Sequence, residues 1–431
     1  MERLREVSDR LMRLIDEKNV KAQFRVNLTE TREITMENGE FTLFRTLFDQ
    51  CVDIKVIKDC KMGCTTVNKF DEESLKAALN NAILSAESGT ADEHFDIAPG
   101  MESEQFHLGV EEPDIDGLMQ RAQELNEEVT RKHPKVLVMQ TILEHVKKQT
   151  IYRNTNGSFD ETTAGYYDLS MEFAGNDGES STGLSGTQVV FDHLDRPLIE
   201  LGSVDKDLKD AEDSFHPITI DGKFEGEVIL TPMCAAQMLY YALSNFISDS
   251  AILKQTGVWL GKLEKQVASE KLSIGIKPWD ERIIDHEVNT ADGFRSEDFM
   301  VIEKGVLKSY LASLYVSNKC NVPRAKSTGM DLVVEAGDTP YQDMVRNVKK
   351  GLIVGAVSAG HPSANGEVSG VVKNSFYVED GQIKGAVMET MINCNLAEMF
   401  KNVVSVSKEV LCDGSYVVPY ISVDHVVISG K

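Results

Sequence analysis

The residues from which this chain could build a metal centre or a nucleophile are nine histidines and seven cysteines. No two histidines fall within five positions of each other, so no helix carries a zinc-binding pair at a common spacing. A site assembled from distant histidines stays open. Cys60 and Cys64 flank Lys-Met-Gly across an expected strand-to-strand turn, but a structural zinc needs two further ligands and none lies nearby. The cysteines are odd in number and scattered, which fits reduced thiols better than a disulfide framework. There is no Gly-x-Ser-x-Gly turn, and no Cys–His pairing can be inferred. The stretch that most invites a site is Glu225 to Phe246, EGEVILTPMCAAQMLYYALSNF. It reads as a buried strand, a turn at Thr231-Pro232 and an amphipathic helix. That helix offers Tyr240, Tyr241, Ser244 and Asn245, without an imidazole, carboxylate or cation.

The elements that must position such a helix follow from periodicity. Leu4, Val7, Leu11, Leu14 and Ile15 recur at helical spacing over 2–17. Alternating residues at 24–28, a hairpin at Asn38-Gly39 and strands at 51–56 and 63–67 follow, then a helix opening at Asp71. Residues 1–90 thus read as an antiparallel sheet with a helix at each end, and the acidic segment 91–112 as a linking loop. A middle α/β unit over 113–222 starts with a helix and has strands at 136–144 and 150–153. Residues 175–186, rich in Gly, Ser and acids, read as an exposed loop. A third unit over 223–431 holds the helix at 232–247, a further helical stretch at 250–270, and hairpins at Gly305 and at Asp380-Gly381. Strands at 403–406 and 417–428 close it. The expected fold is α+β, its C-terminal part a β-rich sandwich or barrel-like sheet around a central helix.

A chain of 431 residues suggests two or three domains. Its formal net charge is −24, with no basic stripe. Nucleic acid is therefore not an expected partner, since phosphate contacts need clustered cations. The charged N-terminus does not read as a signal peptide, and no apolar run approaches the roughly 20 residues that cross a bilayer. The expectation is a soluble cytoplasmic protein without membrane partners.

The order of several segments resembles the TldD/PmbA family, whose members are described as modulators of DNA gyrase and understood as zinc peptidases with a paired subunit. The similar segments are Asn154-Thr155-Asn156-Gly157, Gly226 to Pro232, the hairpin Val301 to Leu311, HPSANGEVSG from His361 to Gly370, and Gly381 with Val387-Met388-Glu389-Thr390. The resemblance covers nearly the whole chain. In the catalytic branch it implies a His-Glu-x-x-x-His helix after the proline, with a cysteine near the C-terminus completing the zinc ligands. Here Tyr240 stands at the first His, Tyr241 at the Glu and Asn245 at the second His. Phenols and a carboxamide are poor zinc ligands and supply no base. The resemblance therefore points to the other branch, PmbA or TldE, which lacks the motif; Leu230-Thr231-Pro232 with Ala235-Ala236, and Val267 to Leu272, also follow that branch. No metal or other cofactor is expected. Cys412, near the position of the family's ligand cysteine, is either a leftover ligand or a strand-end thiol packed as a small apolar residue. His361 and Asn365, on a loop, either line a peptide cleft or are solvated. Arg324 either holds a substrate carboxylate or pairs with an acid of the chain itself.

The resemblance implies a non-catalytic partner subunit of a TldD-type zinc peptidase that acts on unfolded peptides, inactive alone. The alternatives are a homodimeric peptide-binding scaffold and a stand-alone peptidase with an unrecognised site. The charge argues against direct DNA contact in any link to gyrase.

Overall fold

Local chemistry sets the boundaries of the first elements. The computed structural model describes all residues, Met1–Lys431. Helix α1 (Glu2–Lys18) buries Leu4, Val7, Leu11 and Ile15 and stops at Asn19, whose left-handed φ of 49° turns the chain into β1 (Lys21–Glu37). Asn38 and Gly39 both take positive φ, 50° and 82°, the geometry that a two-residue hairpin between right-twisted strands requires. They lead into β2 (Glu40–Lys58), followed by β3 (Lys61–Val67) and α2 (Glu72–Ser88), which is capped by the Asp71 carboxylate on the Ser74 N–H. Next come β4 (Glu104–Gly109), α3 (Ile115–Lys132), β5 (Val136–Asn154), β6 (Phe159–Gly175), β7 (Ser185–Phe191) and α4 (Val204–Glu212).

These strands make one sheet, in the order β3-β2-β1-β5-β6, with β4 and β7 both bordering β6. β1 and β5 pair antiparallel from Gln23↔Asn154 to Glu37↔Gln140. The sheet therefore runs across the expected boundary between 1–90 and 113–222. Three local expectations are corrected. The linking loop at 91–112 contains β4, parallel to β6, because its backbone finds a sheet edge although Phe106 and Leu108 are too few to show a period. The two strands expected at 136–144 and 150–153 are the single β5; its cations Lys147 and Lys148 stay in the strand by pairing with Glu112 and Asp285. The helical stretch expected at 250–270 is only α6, introduced below.

The helices cover one face of this sheet. α1 and α2 pack on Phe24, Val26, Val52 and Ile54, while α3 and α4 pack on Ile34, Leu143, Leu169 and Phe173. The other face meets the C-terminal domain through polar contacts. Arg25 Nη2 donates to Asn289 O at 3.0 Å, and Gln23 Nε2 to Ala291 O at 3.2 Å. Asp160, 1% exposed, receives Arg295 Nη2 at 2.8 Å and Asn289 Nδ2 at 2.9 Å.

The C-terminal domain starts with β8 (Ile218–Thr219) and β9 (Lys223–Leu230), then α5 (Pro232–Phe246) and α6 (Asp249–Lys254). α6 ends at Gln255, again left-handed, and Gly257 follows where a Cβ would lie 2.0 Å from Phe246 O, so only glycine lets the chain pass this close to the end of α5. β9 is central in a large mixed sheet, antiparallel to Val417–Ser429 and parallel to Lys350–Val354. The fold is α+β, and α5 supplies much of the C-terminal core.

The Asp160 contacts tie the two parts together. Asp160→Ala should lower the unfolding free energy by about 1–3 kcal/mol, because Asn289 and Arg295 lose their buried acceptor while Arg295 keeps Glu104 at 2.6 Å; chemical denaturation followed by circular dichroism measures this.

Candidate functional site

β9 feeds α5 through Thr231, whose side chain accepts the Cys234 N–H, with Pro232 in the first turn, where its missing N–H costs nothing. Cys234, Ala235, Met238, Leu239, Ala242, Leu243 and Phe246 are buried, which turns Gln237, Tyr240 and Asn245 away from the core and leaves Tyr241 half-buried against its rim. Tyr240 is 49% exposed.

A second segment is held against this outer face. Gln237 Nε2 donates to Val357 O at 3.1 Å, and the Val357 N–H donates to Gln237 Oε1 at 3.3 Å. One side-chain amide thus satisfies both main-chain groups of a residue in the edge strand Ala356–Ala359, as a neighbouring strand would. Beyond it, Asn245 Nδ2 donates to Ser363 O at 2.7 Å. The Ser363 N–H donates to Glu367 O at 3.0 Å, and Asn395 Nδ2 to Asn365 O at 2.9 Å. The His361 ring meets Tyr241 edge-on, with centroids 6.2 Å apart.

The fold therefore gathers Tyr240, Tyr241, Asn245, His361 and Asn365 in one region. It places the other two expected residues elsewhere. The Arg324 guanidinium lies 3.7 Å from the Phe294 ring centroid and 3.5 Å from Asp292, and burial lowers its pKa. The pairing with an acid of the chain is the one observed. Cys412 Sγ donates to Arg282 O at 3.2 Å and packs with Ile283, Val333 and Val417, a cluster separate from the one that holds α5. Burial pushes its thiol pKa up, so it is a poorer thiolate than a free cysteine.

The zinc that the resemblance implies for its catalytic branch does not fit these side chains. Two phenols and a carboxamide replace imidazoles and a carboxylate, and the Asn245 nitrogen is spent as a donor to Ser363. No three His, Cys, Asp or Glu side chains converge where they could hold a metal ion. The edge carrying Val357 also carries Ala359 two residues on, beside Tyr241 and His361, so an extended peptide has main-chain groups and aromatic faces to meet there. Gln237 was not singled out in the sequence; its only signal there is its position one helical turn before Tyr241.

Residues 223–430 match the PmbA/TldA metallopeptidase C-terminal domain. A metalloprotease PmbA homolog of Haemophilus influenzae is 22% identical over 92% of this chain and 88% of its own length. An uncharacterized protein of Methanocaldococcus jannaschii is 22% identical over 86% of this chain and 88% of its own. TldE of Thermococcus kodakarensis superposes with a TM-score of 0.84 at 18% identity, covering 98% of this chain and 100% of that one. A candidate DNA gyrase modulator of Bacteroides thetaiotaomicron gives 0.85 at 18% identity, covering 100% and 98%. At such identities the structures share the fold.

Two outcomes are expected. Gln237→Ala should cost about 1–3 kcal/mol and speed hydrogen exchange at the Val357 amide, because both main-chain groups lose their partner. Equilibrium dialysis against zinc should leave the folded chain with far less than stoichiometric metal; tight stoichiometric binding would contradict the donor set described for α5.

Proposed function

With a PmbA/TldD-type C-terminal domain in residues 223–430, we propose that this chain is a non-catalytic partner subunit of a TldD-type zinc peptidase acting on unfolded peptides. The observation that carries the reading is the outer face of α5. By the resemblance in the sequence, the helix after the strand–Thr–Pro approach stands where the family has its metal helix, yet it presents Tyr240, Tyr241 and Asn245. The chain's part is then to bind and present substrate. A peptide adding to the edge at Ala359 would be held by main-chain hydrogen bonds, which tolerate many sequences, with His361 and Asn365 at its side. The hydrolytic water would be activated in the partner. No nucleic acid enters this reading, and the strongly acidic surface disfavours it.

A homodimeric peptide-binding scaffold is the second reading. It is favoured by the outer part of β2, where Leu43, Phe44, Leu47 and Phe48 are 38%, 53%, 44% and 69% exposed on a strand section that β3 does not cover. An open apolar strand edge is a surface that another chain covers readily.

Mixing the purified chain with a subunit that carries His-Glu-x-x-x-His should give a complex that degrades an unfolded protein and is stopped by a chelator, while the chain alone is inactive. A stable self-dimer that neither joins such a subunit nor supports cleavage would favour the scaffold. Chelator-resistant cleavage by the chain alone would contradict both readings.

A further inference from the structure

A cavity of about 460 Å³ opens where α4 of the first sheet meets the C-terminal domain. Its lining includes the start of α5, at the opposite end of that helix from Asn245. On one wall α4 contributes Lys206, Asp207 and Asp210. The lining also includes Tyr341, from the helix Tyr341–Asn347, Glu409 from the strand Val403–Cys412 and Tyr420 from the strand Val417–Ser429. We propose that this cavity binds an aliphatic polyamine, a flexible chain carrying at least two ammonium groups.

Charge and shape support this class. Three carboxylates and one ammonium line the space, and the Lys206 ammonium is already paired with Asp210. Asp207 accepts from Ser203 Oγ at 2.6 Å, and Glu409 Oε2 accepts the Tyr341 N–H at 2.8 Å; neither forms a salt bridge. The two acids without a cationic partner come from different elements, Asp207 from α4 and Glu409 from the strand Val403–Cys412, which suits a ligand with a charge near each end. The Tyr341 and Tyr420 rings, with centroids 4.2 Å apart, give an alkyl chain and an ammonium aromatic surface. An anion is less well served. At the start of α5, Pro232 has no N–H and the Thr231 side chain takes that of Cys234.

The cavity holds its carboxylates at a cost that a cation relieves. Burial pushes Asp207 up to about 6; Ser203, Thr187 and Lys206 oppose the shift and Asp210 adds to it, with Tyr416, just before the strand Val417–Ser429, and Tyr420, within it, near the same carboxylate. Burial raises Asp210 as well. A folded-state pKa above the ordinary carboxylate value means that the folded chain binds more protons than the unfolded one between the two values. Stability therefore falls as pH rises through that window and stays lower above about 6. A bound ammonium stabilises the ionised form, so its affinity rises with pH through the same range.

Titration calorimetry of the full chain with putrescine, alongside n-butylamine and inorganic phosphate, tests the proposal. Saturable putrescine binding is expected, tighter than that of the monoamine, weakened by salt and weakened again as pH falls through about 6. Glu409→Gln, which keeps an acceptor for the Tyr341 N–H, should weaken putrescine about tenfold or more. Asp207→Asn should do the same and also reduce the pH dependence near 6. Thermal melting by circular dichroism establishes that each variant is folded. Absence of saturable putrescine binding to the folded chain, preference for phosphate, or unchanged affinity in both folded variants would each overturn the proposal.

Discussion

The arrangement of the C-terminal domain depends on one constraint: β9 is hydrogen-bonded along both edges. The strand Val417–Ser429 and the strand Lys350–Val354 leave it no freedom to slide or turn, since a shift of one residue would exchange Val228 and Leu230, in the main core, with Ile229, in the smaller cluster on the other face. Its last residue therefore delivers Thr231 and Pro232 to a set place, and the Thr231 cap with Pro232 sets the direction of α5. The buried side of α5 then decides its rotation. With Leu239, Leu243 and Phe246 in the core, Gln237, Tyr241 and Asn245 are left to meet the strand Ala356–Ala359 and the loop after it. The outer face of α5 is thus a consequence of strand pairing that lies beneath it.

The same rigid start of α5 helps to form a second place. The two halves of the chain meet through side chains that bond to main-chain carbonyls and to one buried carboxylate, Asp160. Such a junction is held by directional polar contacts and not by a continuous apolar core. Space remains beside it, between α4 and the approach to α5, and acids and tyrosines line that space. A helix approached by so constrained a strand therefore serves two regions, one along its outer face and one at its start.

Much of this was legible in the residues. Period-two and period-3.6 patterns located β1, α1, β9 and α5, and Asn38-Gly39 and Asp380-Gly381 marked turns where both residues take positive φ. The side chains at 240, 241 and 245 were read directly, and with them the lack of imidazole and carboxylate on the outer face of α5. Less legible was β4, since a short strand with two apolar residues has no period to show. Gln237 was missed because a glutamine on a helix surface signals nothing until an edge strand is seen to use both ends of its amide.

By itself, then, the sequence determined most of the longer helices and strands, which face of each is apolar, and which side-chain types stand on α5, because all of these depend on residue type and near-neighbour spacing. The tertiary structure decided partnership. It paired β1 with β5 across more than a hundred residues, sent Arg324 to Asp292 and Phe294, put Cys412 in a different cluster from α5, and brought Asp207 and Glu409 to one cavity. Periodicity states that a face is buried or that a charge is exposed. It does not state against what, since contacts between distant segments are chosen by the joint packing of the whole chain.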